Sequence, residues 1–197
     1  MIVAAFDFDG TLTRRDTLIP FLVFVRGPWV VSAALLVCLP RLAGMALGGG
    51  SRQKAKEQLL RICLRGKSKQ ELAQAGEAFA RQRLPRLMRP EALQRLQWHV
   101  SRGDTCVIVS ASLDLYLSPW GDENGFQAVI CSRLDFDQRD MATGNLDGAN
   151  CRGVEKVDRL VSLFPKERVA EFFAYGDSEG DREMLDFADH PFYRSFG

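Results

Sequence analysis

The sequence predicts an α/β protein, a doubly wound parallel sheet with an α-helical segment inserted after the first strand. Three observations carry this. A short apolar run near the start ends in two carboxylates, Asp7 and Asp9. A long stretch of helical periodicity follows, from 16 to about 100. Beyond it, apolar runs of strand length alternate with amphipathic helices, and such alternation builds a parallel sheet covered on both faces.

The first strand is expected over 2–8. Successive strand residues point to opposite faces, so Asp7 and Asp9 would share one face and repel. A bend after Asp7, which Gly10 permits, or a cation between the two acids would relieve that. The bland reading, a solvated turn after a strand, does not explain why two later strands also end in polar clusters. Residues 18–25 form an apolar helix stopped at Arg26-Gly27-Pro28. Residues 29–39 are nearly all apolar, with Pro40-Arg41 expected to interrupt them. A further segment, 42–47, runs into Gly48-Gly49-Gly50, and Ser51 then caps the next helix, to 64. Ser68-Lys69-Gln70-Glu71 fits a capping box opening a helix from 68 to 88. Met88-Arg89-Pro90-Glu91 starts another, to Arg102, with Gly103 as its C-terminal glycine.

The alternating part begins with a strand at 105–109 leading to Ser110-Ala111-Ser112. A short helix (113–120) and a strand (126–131) follow. Residues 133–147 read as an antiparallel excursion turning at Thr143-Gly144-Asn145. A helix at 153–164 carries Lys156. A strand at 169–174 leads to Tyr175-Gly176-Asp177-Ser178-Glu179-Gly180-Asp181, and a helix spans 179–187. Three polar clusters then lie at the carboxyl ends of strands, where open α/β sheets bind ligands.

Size and composition fit this layout. The 197 residues, 46% hydrophobic and 26% charged, suffice for one core domain and a small insertion. Cys38, Cys63, Cys106, Cys131 and Cys151 are odd in number and lack a CxxC pair, so reduced, buried thiols in a cytosolic protein are expected. His99 and His190 belong to no zinc pattern, and His99 reads as a surface or internally satisfied side chain. With Asp7 so close to the start, no cleavable signal peptide is expected. The net charge of +1 conceals an imbalance: 14–69 holds eleven Lys/Arg and two Asp/Glu, whereas 104–197 holds nine and eighteen. The basic limb would steer phosphate-rich or anionic surfaces toward it, unless it is simply a solvated face. Nothing points to nucleic acid, and the oligomeric state is left open.

The ordered set Asp7-Phe8-Asp9-Gly10-Thr11, Ser110, Lys156 and Gly176-Asp177-…-Asp181 resembles the haloacid dehalogenase (HAD) superfamily of phosphohydrolases. Its four motifs are DxDGT, a strand-terminal Ser/Thr, a Lys and GDxxxD, and the likeness reaches from Ile2 to about Met184. It implies a Rossmann-like core, 1–14 plus 98–197, with a helical cap at 15–97 as in the phosphoserine-phosphatase-like branch. It also implies a Mg²⁺-dependent phosphomonoester hydrolase with an aspartyl-phosphate intermediate. Asp7 would be the nucleophile and Asp9 the general acid and then base. The Asp7 carboxylate, the Asp9 carbonyl and Asp177 would ligate Mg²⁺, and Asp181 would hold a metal-bound water. Ser110, with backbone N–H groups near Ala111 and Gly10, would grip the phosphate, and Lys156 would compensate charge. Ser110 is preferred to Ser112, which lies further past the strand end. Alone, Lys156 could equally be a surface lysine, and Asp181 an acid at a helix N-terminus.

The substrate is less legible. Phosphoserine phosphatases carry Ser and Asn where this chain has Gly10 and Gly180, which argues against an amino-acid phosphate. Asp16 stands where those enzymes have an acidic substrate contact, or it caps the following helix. The longest charge-free run, 27–40, is too short for a membrane span and suits a buried or interfacial helix. The apolar cap is similar to that of phosphatidylglycerophosphatase C-like proteins, implying a lipid phosphate such as phosphatidylglycerol phosphate and an anionic membrane surface, peripheral at its inner face. A cap-core or dimer-interface helix is the competing reading of the same run. A soluble small-metabolite phosphatase shares the chemistry. A non-catalytic phospholigand-binding or membrane-interaction protein would usually have lost one of Asp7, Asp9, Lys156 or Asp177.

Overall fold

A computed structural model describes residues 1–46 and 50–196. Six strands form one sheet in the order β4-β3-β2-β1-β5-β6, parallel throughout except for the antiparallel β3–β4 pair. They are β1 (Ile2–Phe6), β2 (Thr105–Leu113), β3 (Ala128–Phe136), β4 (Ala142–Asp147), β5 (Glu171–Gly176) and β6 (His190–Tyr193). The predicted fold class is what the chain adopts.

Strand alternation separates two apolar layers. Ala4 and Phe6 of β1, Cys106 and Ile108 of β2, and Phe173 and Tyr175 of β5 face the layer that continues into the helical insertion. Val3, Ala5, Val107, Val109, Phe172 and Ala174 face α7 (Val154–Leu163) and α8 (Arg182–Phe187). Both faces being covered, these strands read as continuous apolar runs.

The insertion holds α1 (Leu18–Arg26), α2 (Pro28–Ala46), α3 (Arg52–Leu64) and α4 (Lys69–Gln82). Next, α5 (Pro90–Ser101) buries Ala92, Leu96 and His99. After β2, α6 (Asp114–Glu123) leads to β3. Gly27 at φ 82° ends α1, and Ser51 caps α3 by accepting the Lys54 N–H. Ser68 accepts the Glu71 N–H, but only half of the expected capping box forms, because the Glu71 carboxylate pairs with Lys67 instead. Among the described residues no helix is long and apolar enough to cross a membrane.

Several boundaries differ from expectation. Asp7 lies just beyond β1, which ends at Phe6. Pro40 does not interrupt α2. Its missing N–H leaves the Leu36 carbonyl unbonded on the exposed face, where water can satisfy it. The expected stretch at 47–49 lies outside the described residues. The β3–β4 turn falls at residues 137–141, where Asp137 accepts the Arg139 and Met141 N–H groups and Asp140 adopts φ 55°. Thr143-Gly144-Asn145 lies inside β4, and a Cβ on Gly144 would sit 2.4 Å from Arg61 Cα, so that glycine serves close packing with α3. The helix from 68 stops at Gln82, and the edge strand β6 was not anticipated. All five cysteines are buried and free. His99 is fully buried, bonded to Asp104 at 2.8 Å and to the Tyr175 hydroxyl at 2.9 Å.

Candidate active site

The chain turns sharply after β1, and that turn decides where each acid points. The Asp7 N–H still bonds to the Tyr175 carbonyl, continuing the sheet at 2.9 Å. Gly10 then takes φ +82°, and the Thr13 N–H closes the turn on the Phe8 carbonyl. Asp7 and Asp9 thereby acquire different partners, which is the bend their mutual repulsion called for.

Asp7 belongs to a buried charged trio. Lys156, in the first turn of α7 and 2% exposed, donates to Asp7 Oδ1 at 2.7 Å and to Asp181 Oδ1 at 2.5 Å. Asp181 Oδ2 accepts from the Ser178 hydroxyl at 2.8 Å and the Ser178 N–H at 3.0 Å. Burial works against ionised Lys156, but the two carboxylates outweigh it and hold the ammonium charged. Burial likewise opposes ionised Asp181, and there Lys156 and the Ser178 bonds win, keeping it below the usual carboxylate range. For Asp7 burial dominates the pull of Lys156 and raises its pKa to about 7. Lys156 is therefore no surface lysine, while Asp181 both pairs with it and stands at a helix N-terminus, the alternative foreseen for it.

Asp177 completes the cluster from the loop after β5. Its Oδ1 is buried and has no hydrogen-bond partner. Carboxylate oxygens of Asp7, Asp177 and Asp181 lie within 4.8 Å of one another. A Cβ on Gly10 would stand 2.2 Å from Asp177 Oδ2, so only glycine lets the two loops meet this closely. Three hard oxygen donors with one oxygen orphaned fit a divalent cation of the Mg²⁺ type.

Asp9 faces the insertion. Its Oδ1 accepts from the Thr17 N–H at 2.9 Å and the Thr17 hydroxyl at 2.6 Å, and its Oδ2 from the Ser112 hydroxyl. The Thr17 hydroxyl has one hydrogen, given to Asp9, so Tyr116 is the donor in the 3.1 Å Tyr116–Thr17 contact. Burial, then the charge of Asp16, raises the Asp9 pKa to about 6 against those hydrogen bonds. Ser110 is fully buried and accepts the Ser112 N–H at 3.1 Å. The expected ranking of the two serines thus splits: Ser110 shapes the loop, while Ser112 touches Asp9. Strand β2 runs on to Leu113 with a register shift after Ser110, which keeps Ser112 within reach.

A pocket of about 390 Å³ opens between these groups, lined by Asp7, Asp9, Gly10, Ser110, Ala111, Lys156, Asp177 and Asp181. The structure thus brings together every core residue singled out from the sequence. Its walls also carry Arg14, Arg15, Arg89 and Arg152, which sequence reasoning missed because lone arginines follow no motif. Asp16 lies at the same mouth, and its Oδ1 caps α1 through the Leu18 N–H at 2.9 Å, the alternative foreseen for it. Lys56 of α3 donates to the Ala111 carbonyl and, at 3.1 Å, to Asn150 Oδ1, tying the insertion to the loop after Ser110. Burial lowers its pKa to about 8.

Comparison with known proteins agrees with this geometry. A family model described as haloacid dehalogenase-like hydrolase matches residues 4–186. Protein CicA of Caulobacter vibrioides is 38% identical over 197 residues, covering 99% of this chain and 86% of its own. A protein with unknown function from Bordetella pertussis Tohama I has a similar structure, with TM-score 0.77, 22% identity, and coverage of 96% of this chain and 87% of that one. A substrate-bound phosphoserine phosphatase superposes with TM-score 0.69 and 16% identity, covering 98% and 85%. At such identities these two structures establish likeness of fold alone.

Proposed function

Because the chain belongs to the haloacid dehalogenase-like hydrolase family, we propose that it hydrolyses phosphate monoesters through an aspartyl-phosphate on Asp7. One observation carries the reading: the two acids of the first turn are sorted into different environments. Asp7 sits with Lys156 and the acidic cluster, whereas Asp9 sits with Thr17 and Ser112. A nucleophile and a proton donor need that division of labour.

An Asp7 oxygen attacks phosphorus as the ester oxygen leaves, and Asp9 delivers its proton to that oxygen. With its pKa raised to about 6, Asp9 holds a proton in a minority of molecules near neutrality, and Asp7, itself raised to about 7, would be kept ionised by the bound cation beside Lys156. Water then attacks the phosphorus of the aspartyl-phosphate, Asp9 takes the water proton, and phosphate leaves with Asp7 restored. Lys156 and Ser110, with the N–H groups near Ala111 and Gly10, hold phosphoryl oxygens. Asp7, Asp177 and the Asp9 carbonyl would bind Mg²⁺, with Asp181 behind them, and the ion would neutralise phosphoryl charge there. Hydrolysis of p-nitrophenyl phosphate with Mg²⁺, wild type against Asp7→Asn, tests the reading. The variant should lose at least about 10⁴-fold in kcat; equal rates would remove Asp7 from the chemistry and favour a phospholigand-binding protein.

We further propose a lipid phosphate, such as phosphatidylglycerol phosphate, met at an anionic membrane surface, with the chain peripheral on its cytoplasmic face. Supporting this, Trp29, Leu36, Val37 and Leu39 of α2 are more than half exposed in the basic limb of the chain. A soluble metabolite phosphatase is the alternative, with Asp16 then facing the substrate. Sedimentation with anionic liposomes at low salt separates them, since a metabolite enzyme stays in the supernatant. The cap of that scheme is 15–97, and the packing of α5 against β2 supports counting α5 with the core.

A further inference from the structure

The catalytic pocket is not the largest concavity of the molecule. A groove of about 1040 Å³ opens beside it, lined by Leu18, Ile19, Val23 and Phe24 of α1, Phe79 of α4 and Leu87. Ile19, Pro20, Val23 and Phe24 share one side of the helix, an apolar face that the protein leaves half-buried, with Leu18 at its N-terminal end. The opposite face, with Phe21 and Leu22, is fully buried. Arg15 and Asp16 line both the groove and the catalytic pocket, so the two are continuous at that seam. Asp16 fixes the seam by capping α1. Arg83 and Arg86 add positive charge to the groove wall, and the Arg83 guanidinium lies 5.8 Å from the Phe24 ring centre.

We propose that this groove is the specificity site for a hydrocarbon chain on the substrate's leaving group, so that the preferred ester is an amphiphilic phosphate monoester. The inference rests on the phosphatase reading and assigns the part of the protein that selects among esters. An occupant of the groove leads directly to the mouth where phosphorus meets Asp7, which a partner docked elsewhere on the cap would not. The arginines match it, since Arg14, Arg15 and Arg89 line the pocket that would take the anionic head, and the apolar face of α1 lies beyond the shared Arg15 for an aliphatic tail. A small polar ester would fill the 390 Å³ pocket and leave the larger apolar wall in water.

The test is a series of n-alkyl phosphates from butyl to decyl, assayed with Mg²⁺ below the concentrations at which they aggregate. In the wild type kcat/KM should rise roughly twofold to fourfold per methylene, up to the length the groove accommodates. Val23→Trp and, from a different element, Leu87→Trp fill the groove and should flatten that slope. The slope is compared within each protein, so a general loss of rate does not count. A flat wild-type series, with the short esters still hydrolysed, overturns the groove assignment and leaves the phosphatase reading intact. No turnover of any ester overturns both. A flat series together with a dimer that Val23→Trp dissociates in sedimentation gives the groove to a second copy, and the proposal fails.

Discussion

The carboxyl edge of the sheet and the α1–α2 limb of the insertion break the usual rule of burial in opposite directions. At the sheet edge Asp7, Lys156, Asp181 and Ser110 are inside, and most of their polar atoms have partners within hydrogen-bond reach. On the limb Trp29 is 86% exposed and Leu36 66%, while α1 offers a half-buried apolar face to an open groove. Buried charge costs several kcal/mol per ion unless it is paired. Exposed apolar area forgoes about 25 cal/mol per Å² that burial would return. One region has accepted a cost and the other has declined a gain. The proposed function and the proposed groove assign each departure to something outside the polypeptide: phosphate and a cation at the edge, and hydrocarbon along the limb.

The largest break in this comparison should come from Lys156→Met. It leaves Asp7 and Asp181 buried without their shared cation, and losing one partner of a buried ion pair typically costs about 3–5 kcal/mol. Denaturant unfolding of the metal-free protein should register that loss, and kcat should fall by about 10²–10³-fold. A variant as stable and as active as wild type would mean that the trio is ornamental.

A pH series on the metal-free protein sharpens the same region. Folded Asp7 has a pKa of about 7 against an ordinary 3.8, so the folded state binds its proton more tightly than the unfolded state. The stability it contributes is full below 3.8 and is lost as pH rises through about 7; Asp9 acts in the same direction up to about 6. Asp181, held low, has the opposite sign, so the comparison is made with Asp7→Asn, which should remove the Asp7 part of the decline. Protons and Mg²⁺ compete for Asp7, so apparent Mg²⁺ affinity should climb as pH approaches and passes 7. Affinity independent of pH would separate Asp7 from the cation.

A smaller effect is expected at Ser112. Ser112→Ala removes one hydrogen bond that favours ionised Asp9, so the Asp9 pKa should move up from about 6 and the corresponding limb of the pH–kcat profile should follow. The rate loss should be about tenfold, the usual worth of one such bond. An unmoved profile would place the titrating group elsewhere.

These residues also show where sequence reading stops. Asp7 and Asp9 were legible as a strand-end pair, and Lys156, Asp177 and Asp181 only through the motif order that the chain shares with its family; the sheet then brings their loops to one edge. Gly10 was legible as a bend, but not as the atom-sized gap that admits Asp177. Ser112 was ranked low because a regular strand end at Val109 would have carried it away; the register shift after Ser110 has no residue pattern of its own. Pro40 was misjudged because whether a proline ends a helix depends on what faces the orphaned carbonyl, a tertiary fact. The edge strand β6 holds four residues, too few for a periodic signal. Arg15 reaches the pocket from the insertion and Lys56 reaches the loop after Ser110, and their placement depends on how the cap helices pack.

The smallest effect on the fold, and the sharpest on the limb, should come from the α2 surface. Trp29 is 86% exposed, so Trp29→Ser removes little packing and should change unfolding free energy by no more than about 0.5 kcal/mol. The rate on p-nitrophenyl phosphate should be unchanged, because Trp29 lines neither the catalytic pocket nor the groove. Binding to anionic vesicles is where the change should appear, since an indole at the headgroup boundary contributes far more there than in water. Leu36→Ser, two helical turns further along α2, should weaken binding again, and added salt should weaken all three proteins together through the basic charges that both variants retain. If the variants bind vesicles as the wild type does, the exposed face of α2 has another purpose, and the contrast between the two regions then rests on the groove alone.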